Sequence, residues 1–118
     1  MASEGIIVHR TQNPPPTAAE VQQLKRQLLK KGAEINEKLT RLLNHQTVNV
    51  EELLGGGKPG ETPIERLRRF MAIIDARLLA IREGRYGICE QCGDGLPFVH
   101  LEQIPWLDTC QRCAAPAV

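Results

Sequence analysis

The chain has 118 residues, with 15 Lys and Arg against 14 Asp and Glu, and aromatic residues make up only 3%. That length suits one small domain whose modest core gains from a staple such as a bound metal. A net charge of +1 gives no overall attraction to nucleic acid or an anionic membrane, and no apolar run approaches the roughly 20 residues needed to span a bilayer.

Residues 1–16 read as a mobile N-terminal tail that stiffens into the polyproline run Asn13-Pro14-Pro15-Pro16. A weak strand is expected at Ile6-Ile7-Val8. No basic region followed by a long apolar run opens the chain, so no secretory signal is expected and the cytoplasm is the expected compartment.

From Thr17 the pattern turns helical. Val21, Leu24, Leu28, Ile35, Leu39 and Leu42 recur three, four or seven apart. Gly32 interrupts this helix with a residue that costs roughly 1 kcal/mol against Ala. The helix is expected to fade near residues 44–47. A loop follows over 46–62, with Gly55-Gly56-Gly57-Lys58-Pro59-Gly60 at its centre and a short helical turn ahead of it at 50–54.

The second helix has the clearest start. Thr62 suits the N-cap, Pro63 the first helical position and Glu65 the third, together a capping box. Ile64, Leu67, Met71, Ile74, Leu78 and Ile81 then form a heptad seam, and Gly84 stops it. The expected fold is mainly α: an antiparallel two-helix coiled-coil hairpin over 17–83, followed by a small four-cysteine zinc ribbon or finger over 84–118. Phe70 and Ile73 lie off the seam, as do Leu79, Leu29 and Leu43. The ribbon is expected to shelter Leu79 but not to reach Phe70 and Ile73, so these two are expected to contact a second copy of the chain or another partner.

Cys89-Glu90-Gln91-Cys92 and Cys110-Gln111-Arg112-Cys113 are two C-x-x-C pairs separated by the seventeen residues 93 to 109. Two residues between cysteines let a tight turn aim both sulfurs at one ion, and a second such knuckle completes a tetrahedral site. In a reducing cytosol this reading leads over two disulfides or redox-active pairs. Cys89, Cys92, Cys110 and Cys113 are thus expected to hold one Zn²⁺. Four thiolates leave no open position for a catalytic water, so the ion is expected to be structural and the protein not an enzyme. Gly95-Leu96-Pro97 makes a turn, and Pro105 bars a long helix between the pairs. Short strands around 96–99 and a short helix around 100–104 both remain open, and Trp106 is expected to pack over the knuckles.

His9, His45 and His100 are scattered and paired with no nucleophile motif. Arg66, Arg68 and Arg69, like Lys25, Arg26, Lys30 and Lys31, read as solvated helix faces. No aromatic residues interleave with these charges, so base stacking on a single strand is not expected.

The stretch Gly84-Arg85-Tyr86-Gly87-Ile88-Cys89-Glu90-Gln91-Cys92-Gly93, with Leu96, Leu101, Pro105 and Cys110-Gln111-Arg112-Cys113, resembles the DksA/TraR family of bacterial transcription regulators. The family pattern, G-x-Y-G-x-C-x-x-C-G then an apolar residue, an Arg-Leu pair, a proline and C-x-x-C, is met at Gly84, Tyr86, Gly87, Cys89, Cys92, Gly93, Leu101, Pro105, Cys110 and Cys113, with His100 in place of the Arg. The resemblance implies a zinc protein that binds RNA polymerase through its hairpin, with acidic tip residues acting near the polymerase active site and no sequence-specific DNA binding. Here the paired carboxylates near the tip are Glu51 and Glu52 in place of a D-x-x-D-x-A motif, with Glu61 nearby. The competing expectation is a structural or adaptor protein that uses the hairpin for homodimerisation or another partner.

Overall fold

The computed structural model describes residues 13–49 and 58–114. The expected strand at 6–8, the helical turn at 50–54 and the tip carboxylates Glu51 and Glu52 lie outside these residues.

Helix α1, Ala18–Leu43, starts at a capping box that the sequence reading did not single out. The Thr17 hydroxyl accepts from the Glu20 N–H at 3.2 Å, and the Glu20 carboxylate accepts from the Thr17 N–H at 2.9 Å. At its far end His45 adopts the left-handed region, φ 63°. The His45 and Gln46 N–H groups then donate back to the carbonyls of Leu42 and Arg41 at 3.0 and 2.9 Å. Helix α2, Pro63–Arg82, opens on the expected box: Thr62 accepts from the Glu65 N–H at 3.1 Å and donates to its carboxylate at 2.9 Å. It closes at Gly84, φ 78°, where the Arg85 N–H reaches the Ala80 carbonyl at 2.9 Å. Both ends therefore satisfy backbone groups that a bare helix terminus leaves open.

Two short helices follow, α3 at Phe98–Gln103 and α4 at Gln111–Ala114. Of the two options between the cysteine pairs, the helix is the one formed. Among the described residues there is no strand, only an isolated antiparallel bridge between Ile88 and Gly95. The expected ribbon is thus reduced to one bridge and two helical turns.

Helices α1 and α2 pack along each other. A Cβ placed on Gly32 would lie 3.5 Å from Ile74 Cγ2, and Pro16 abuts Gly87. Leu24, Leu28 and Ile35 of α1 meet Leu67, Phe70, Ile74 and Ala80 of α2 in one buried cluster. The seam expected on α2 holds at Leu67 and Ile74. Met71, Leu78 and Ile81 are only half-buried, whereas Arg66, Phe70, Arg77 and Ala80 are buried. The buried face is displaced because α2 is covered from two sides, by α1 and by the C-terminal segment.

Phe70 shows this directly. The expectation that the C-terminal segment does not reach it is not met: it is 7% exposed, and Trp106 packs edge-on against it with centroids 4.8 Å apart. Such a pair adds about 0.5–1.5 kcal/mol beyond burial. Trp106 therefore serves the helix junction, with the Lys31 ammonium 6.0 Å from its ring centroid. Ile73 is half-buried. Leu79, expected under the ribbon, is instead 40% exposed, and Leu29 and Leu43 are exposed as their surplus positions imply. Arg66 is buried rather than solvated.

Arg69 anchors the exit of the loop. Its guanidinium grips Glu61 with two bonds of 2.7 and 3.1 Å, and the Lys58 N–H adds a third at 3.0 Å. Arg69 foremost, then Lys58, hold the Glu61 carboxyl down at about 2 from its ordinary 4.5.

Two outcomes follow from these contacts. The space at Gly32 gives a Cβ ordinary van der Waals distances to Ile74 and Met71, so Gly32→Ala raises stability by about 1 kcal/mol through helix propensity, measured by thermal melting. The Glu61 carboxyl is lower in the folded state than in the unfolded one. Its contribution is therefore complete above pH 4.5 and lost as the pH falls toward 2. The melting temperature of Glu61→Gln lies below wild type at neutral pH, and the gap narrows steadily between those two values.

Candidate metal centre

The segment after α2 builds a cup from local bonds. The Cys89 N–H donates to the Asp94 carbonyl at 2.8 Å, the Gly93 N–H to the Cys89 carbonyl at 2.9 Å, and the Leu96 N–H to the Gly87 carbonyl at 2.8 Å. This tight turn lifts Cys89 and Cys92 on one side. Cys110 and Cys113 are set by helix α4, where the Ala114 N–H donates to the Cys110 carbonyl at 2.9 Å. A bond from the Glu90 N–H to the Asp108 carbonyl, 2.9 Å, ties the two halves together.

Two residues brace this cup, Tyr86 across its own length and Arg77 from α2. Tyr86 is buried and donates its hydroxyl to the Pro105 carbonyl at 2.8 Å. Burial, the largest cause, pushes its phenol upward, so it stays a neutral donor. Arg77, buried in α2, reaches Glu90 in the first knuckle at 3.2 Å and Asp108 before the second at 3.8 Å. The sequence reading passed over Arg77. Its signal was a charged residue seven beyond Phe70 and three beyond Ile74, on a face otherwise apolar.

The four sulfurs converge. Those of Cys89, Cys92, Cys110 and Cys113 all lie within 4.8 Å of one another, and Cys92 and Cys110 are 3.7 Å apart. No disulfide joins them. A tetrahedral ion with metal–sulfur bonds near 2.3 Å places its sulfurs about 3.8 Å apart, so the set fits one ion at its centre. Cys89 and Cys110 are buried, and Cys92 and Cys113 half-buried.

The thiols differ in acidity. Burial opposes ionisation of Cys89, but the N–H groups of Cys110, Cys92 and Gln91 outweigh it and bring the thiol down to about 6. The Cys113 N–H, first among its neighbours, lowers Cys110. Cys113 is pushed up to about 12, chiefly by the sulfurs of Cys110 and Cys89. Sulfurs this close do not all ionise unaided, and a divalent cation supplies the compensating charge. Arg112 adds positive charge from outside, its Nη2 3.8 Å from Cys92 Sγ and 3.5 Å from Asp94 Oδ2.

Among the described residues, the other singled-out ones do not join this site. His45 closes α1. His100 lies on α3, facing the same surface cleft as Cys110. Phe70 and Ile73 sit on α2 outside the sulfur cluster. Among the described residues no helix is long and apolar enough to cross a membrane.

A stretch of 41 residues is 49% identical to an uncharacterized protein of Aquifex aeolicus (strain VF5), covering 35% of this chain and 28% of that protein. The chain thus matches less than a third of that relative's length. No protein-family model matches the chain, and no solved structure matches it.

With four ligands converging on one point, the purified chain is expected to carry one metal ion, read by elemental analysis. Cys92→Ser lowers its affinity for that ion at least about 10-fold, since even changes outside the ligands cost that much, and lowers the melting temperature with it.

Proposed function

We propose that this protein is a zinc-stapled, DksA/TraR-type transcription regulator that binds RNA polymerase through an antiparallel coiled-coil hairpin formed by α1 and α2. The observation that carries the reading is the meeting of Cys89, Cys92, Cys110 and Cys113 within 4.8 Å, in the motif that also places Tyr86 and Gly87. Zinc suits an all-sulfur tetrahedral set, and thiolate at every position makes its role structural rather than catalytic.

In this reading each part of the chain has one task. The zinc staples a segment that has too few apolar side chains to fold on its own core. Arg77 and Trp106 fasten that segment to the base of the hairpin. The hairpin then carries its loop away from the metal: α1 alone, 26 residues, is about 39 Å long at 1.5 Å per residue. Glu51 and Glu52 supply the negative charge at the tip. Glu61 is committed to Arg69 and contributes little free charge there.

The test is co-sedimentation of the zinc-loaded chain with purified bacterial RNA polymerase, followed by transcription from a defined promoter. Binding is expected, and the double change Glu51→Ala, Glu52→Ala is expected to abolish the effect on transcription while leaving binding within about 2-fold, because rim charges outside the contact core contribute little affinity. Failure to bind polymerase would leave the hairpin as an adaptor for a second copy or another protein. Wild-type transcription output from the double variant would remove the two carboxylates from the mechanism.

A further inference from the structure

The contacts of the segment before α1 are unexplained by a hairpin with a zinc staple. Asn13 to Pro16 does not trail away from the fold but lies across the C-terminal cup. The Asn13 N–H donates to Asp94 Oδ1 at 3.3 Å, and the Gly95 N–H donates to the Asn13 carbonyl at 3.1 Å. The contact is close enough to require glycine beneath it. A Cβ on Gly95 would collide with the Asn13 carbonyl and lie 2.6 Å from Pro15 N, and one on Gly87 would lie 2.6 Å from the Pro16 ring.

Asp94 is the joint beneath this segment. Its side chain is 3% exposed. One carboxylate oxygen accepts from Asn13 and from the Gly95 N–H, and the other faces Arg112, whose guanidinium also reaches Cys92 Sγ. A line of contacts therefore runs from the tail through Asp94 and Arg112 to a metal ligand. Asn13 also forms part of a cleft of about 240 Å³ that opens onto Cys110. The segment thus borders one ligand and secures the cation over another. Three consecutive prolines suit it to this task, because an extended conformation that is already favoured loses little entropy on docking.

We propose that Asn13–Pro16 is a strap that closes over the metal centre and sets the rate of metal exchange. A closed four-sulfur site gives up its ion only when a competing ligand or proton reaches a sulfur, so exchange passes through a locally opened state. Undocking the strap removes the wall beside Cys110 and frees Asp94 from one of the contacts that hold it against Arg112. The proposal rests on the metal reading above and adds a kinetic role for a segment outside the ligand motif.

The experiment measures zinc transfer from the full-length chain to excess 4-(2-pyridylazo)resorcinol. Two substitutions displace the strap from opposite sides. Gly95→Ala puts a methyl group under it at a position whose backbone is outside the left-handed region. Asn13→Pro removes the N–H that Asp94 accepts, with no change in the cup itself. Each is expected to speed zinc transfer roughly two- to tenfold, the span that the net worth of one hydrogen bond covers, with zinc content kept at wild-type level. Asn13→Ala keeps both backbone contacts and is expected to transfer zinc at the wild-type rate. A wild-type rate in Asn13→Pro, or a rate in Asn13→Ala as high as in Asn13→Pro, would overturn the strap. A wild-type chain that contains no zinc fails the metal reading instead, and elemental analysis before the transfer assay separates the two failures.

Discussion

Everything C-terminal to α2 depends on four sulfurs being held around one point. The apolar side chains buried there are few, principally Tyr86, Leu96 and Leu101 beside Cys89 and Cys110. A core of that size does not offset the chain entropy of some thirty residues, each of which costs on the order of 1–2 kcal/mol to order. Sulfurs packed within 4.8 Å would repel one another once ionised, so without a cation the arrangement is also electrostatically unfavourable. A divalent ion reverses that sign and turns mutual repulsion into the main attraction holding the segment together.

The helices gain from the same arrangement. Two helices packed side by side bury one stripe each, yet α2 buries residues on a wider arc, from Leu67 and Ile74 through Phe70, Arg77 and Arg66 to Ala80. The C-terminal segment covers the second side. Trp106 supplies the apolar cover over Phe70, and Arg77 supplies a charged clasp whose partners, Glu90 and Asp108, belong to different knuckles. Both knuckles must be in place for that clasp to be complete, which links the order of the metal centre to the packing of the helix.

What was legible in the sequence was whatever depends on a few neighbouring residues. Thr62, Pro63 and Glu65 announced the start of α2, Gly84 its end, and the two C-x-x-C pairs the sulfur cluster, because caps and knuckles are local geometries with short signatures. The same logic applied to Thr17 and Glu20, whose box was there to be seen. Long-range choices were not legible. Periodicity marks a face as apolar without saying how many bodies pack on it, so Phe70 read as a surface for a partner when Trp106, 36 positions later, covers it. Arg66 read as solvated, and Arg77 drew no notice, for the same reason: a charged side chain is buried only when distant groups happen to meet it. The tail gave no sign of docking, since its contacts to Asp94 and Gly95 are made by backbone groups that every sequence shares.

The placement of Trp106 gives the molecule a built-in optical gauge. It is the single tryptophan in the chain, and its ring stands at the seam between helix and cysteine-bearing segment, with Phe70 on one side and the Lys31 ammonium nearby. Its emission therefore responds to separation of the two bodies, whereas far-ultraviolet dichroism is dominated by α1 and α2. The two signals divide the molecule's opening into its parts: detachment of the segment from the helix registers in one, and melting of the helices in the other.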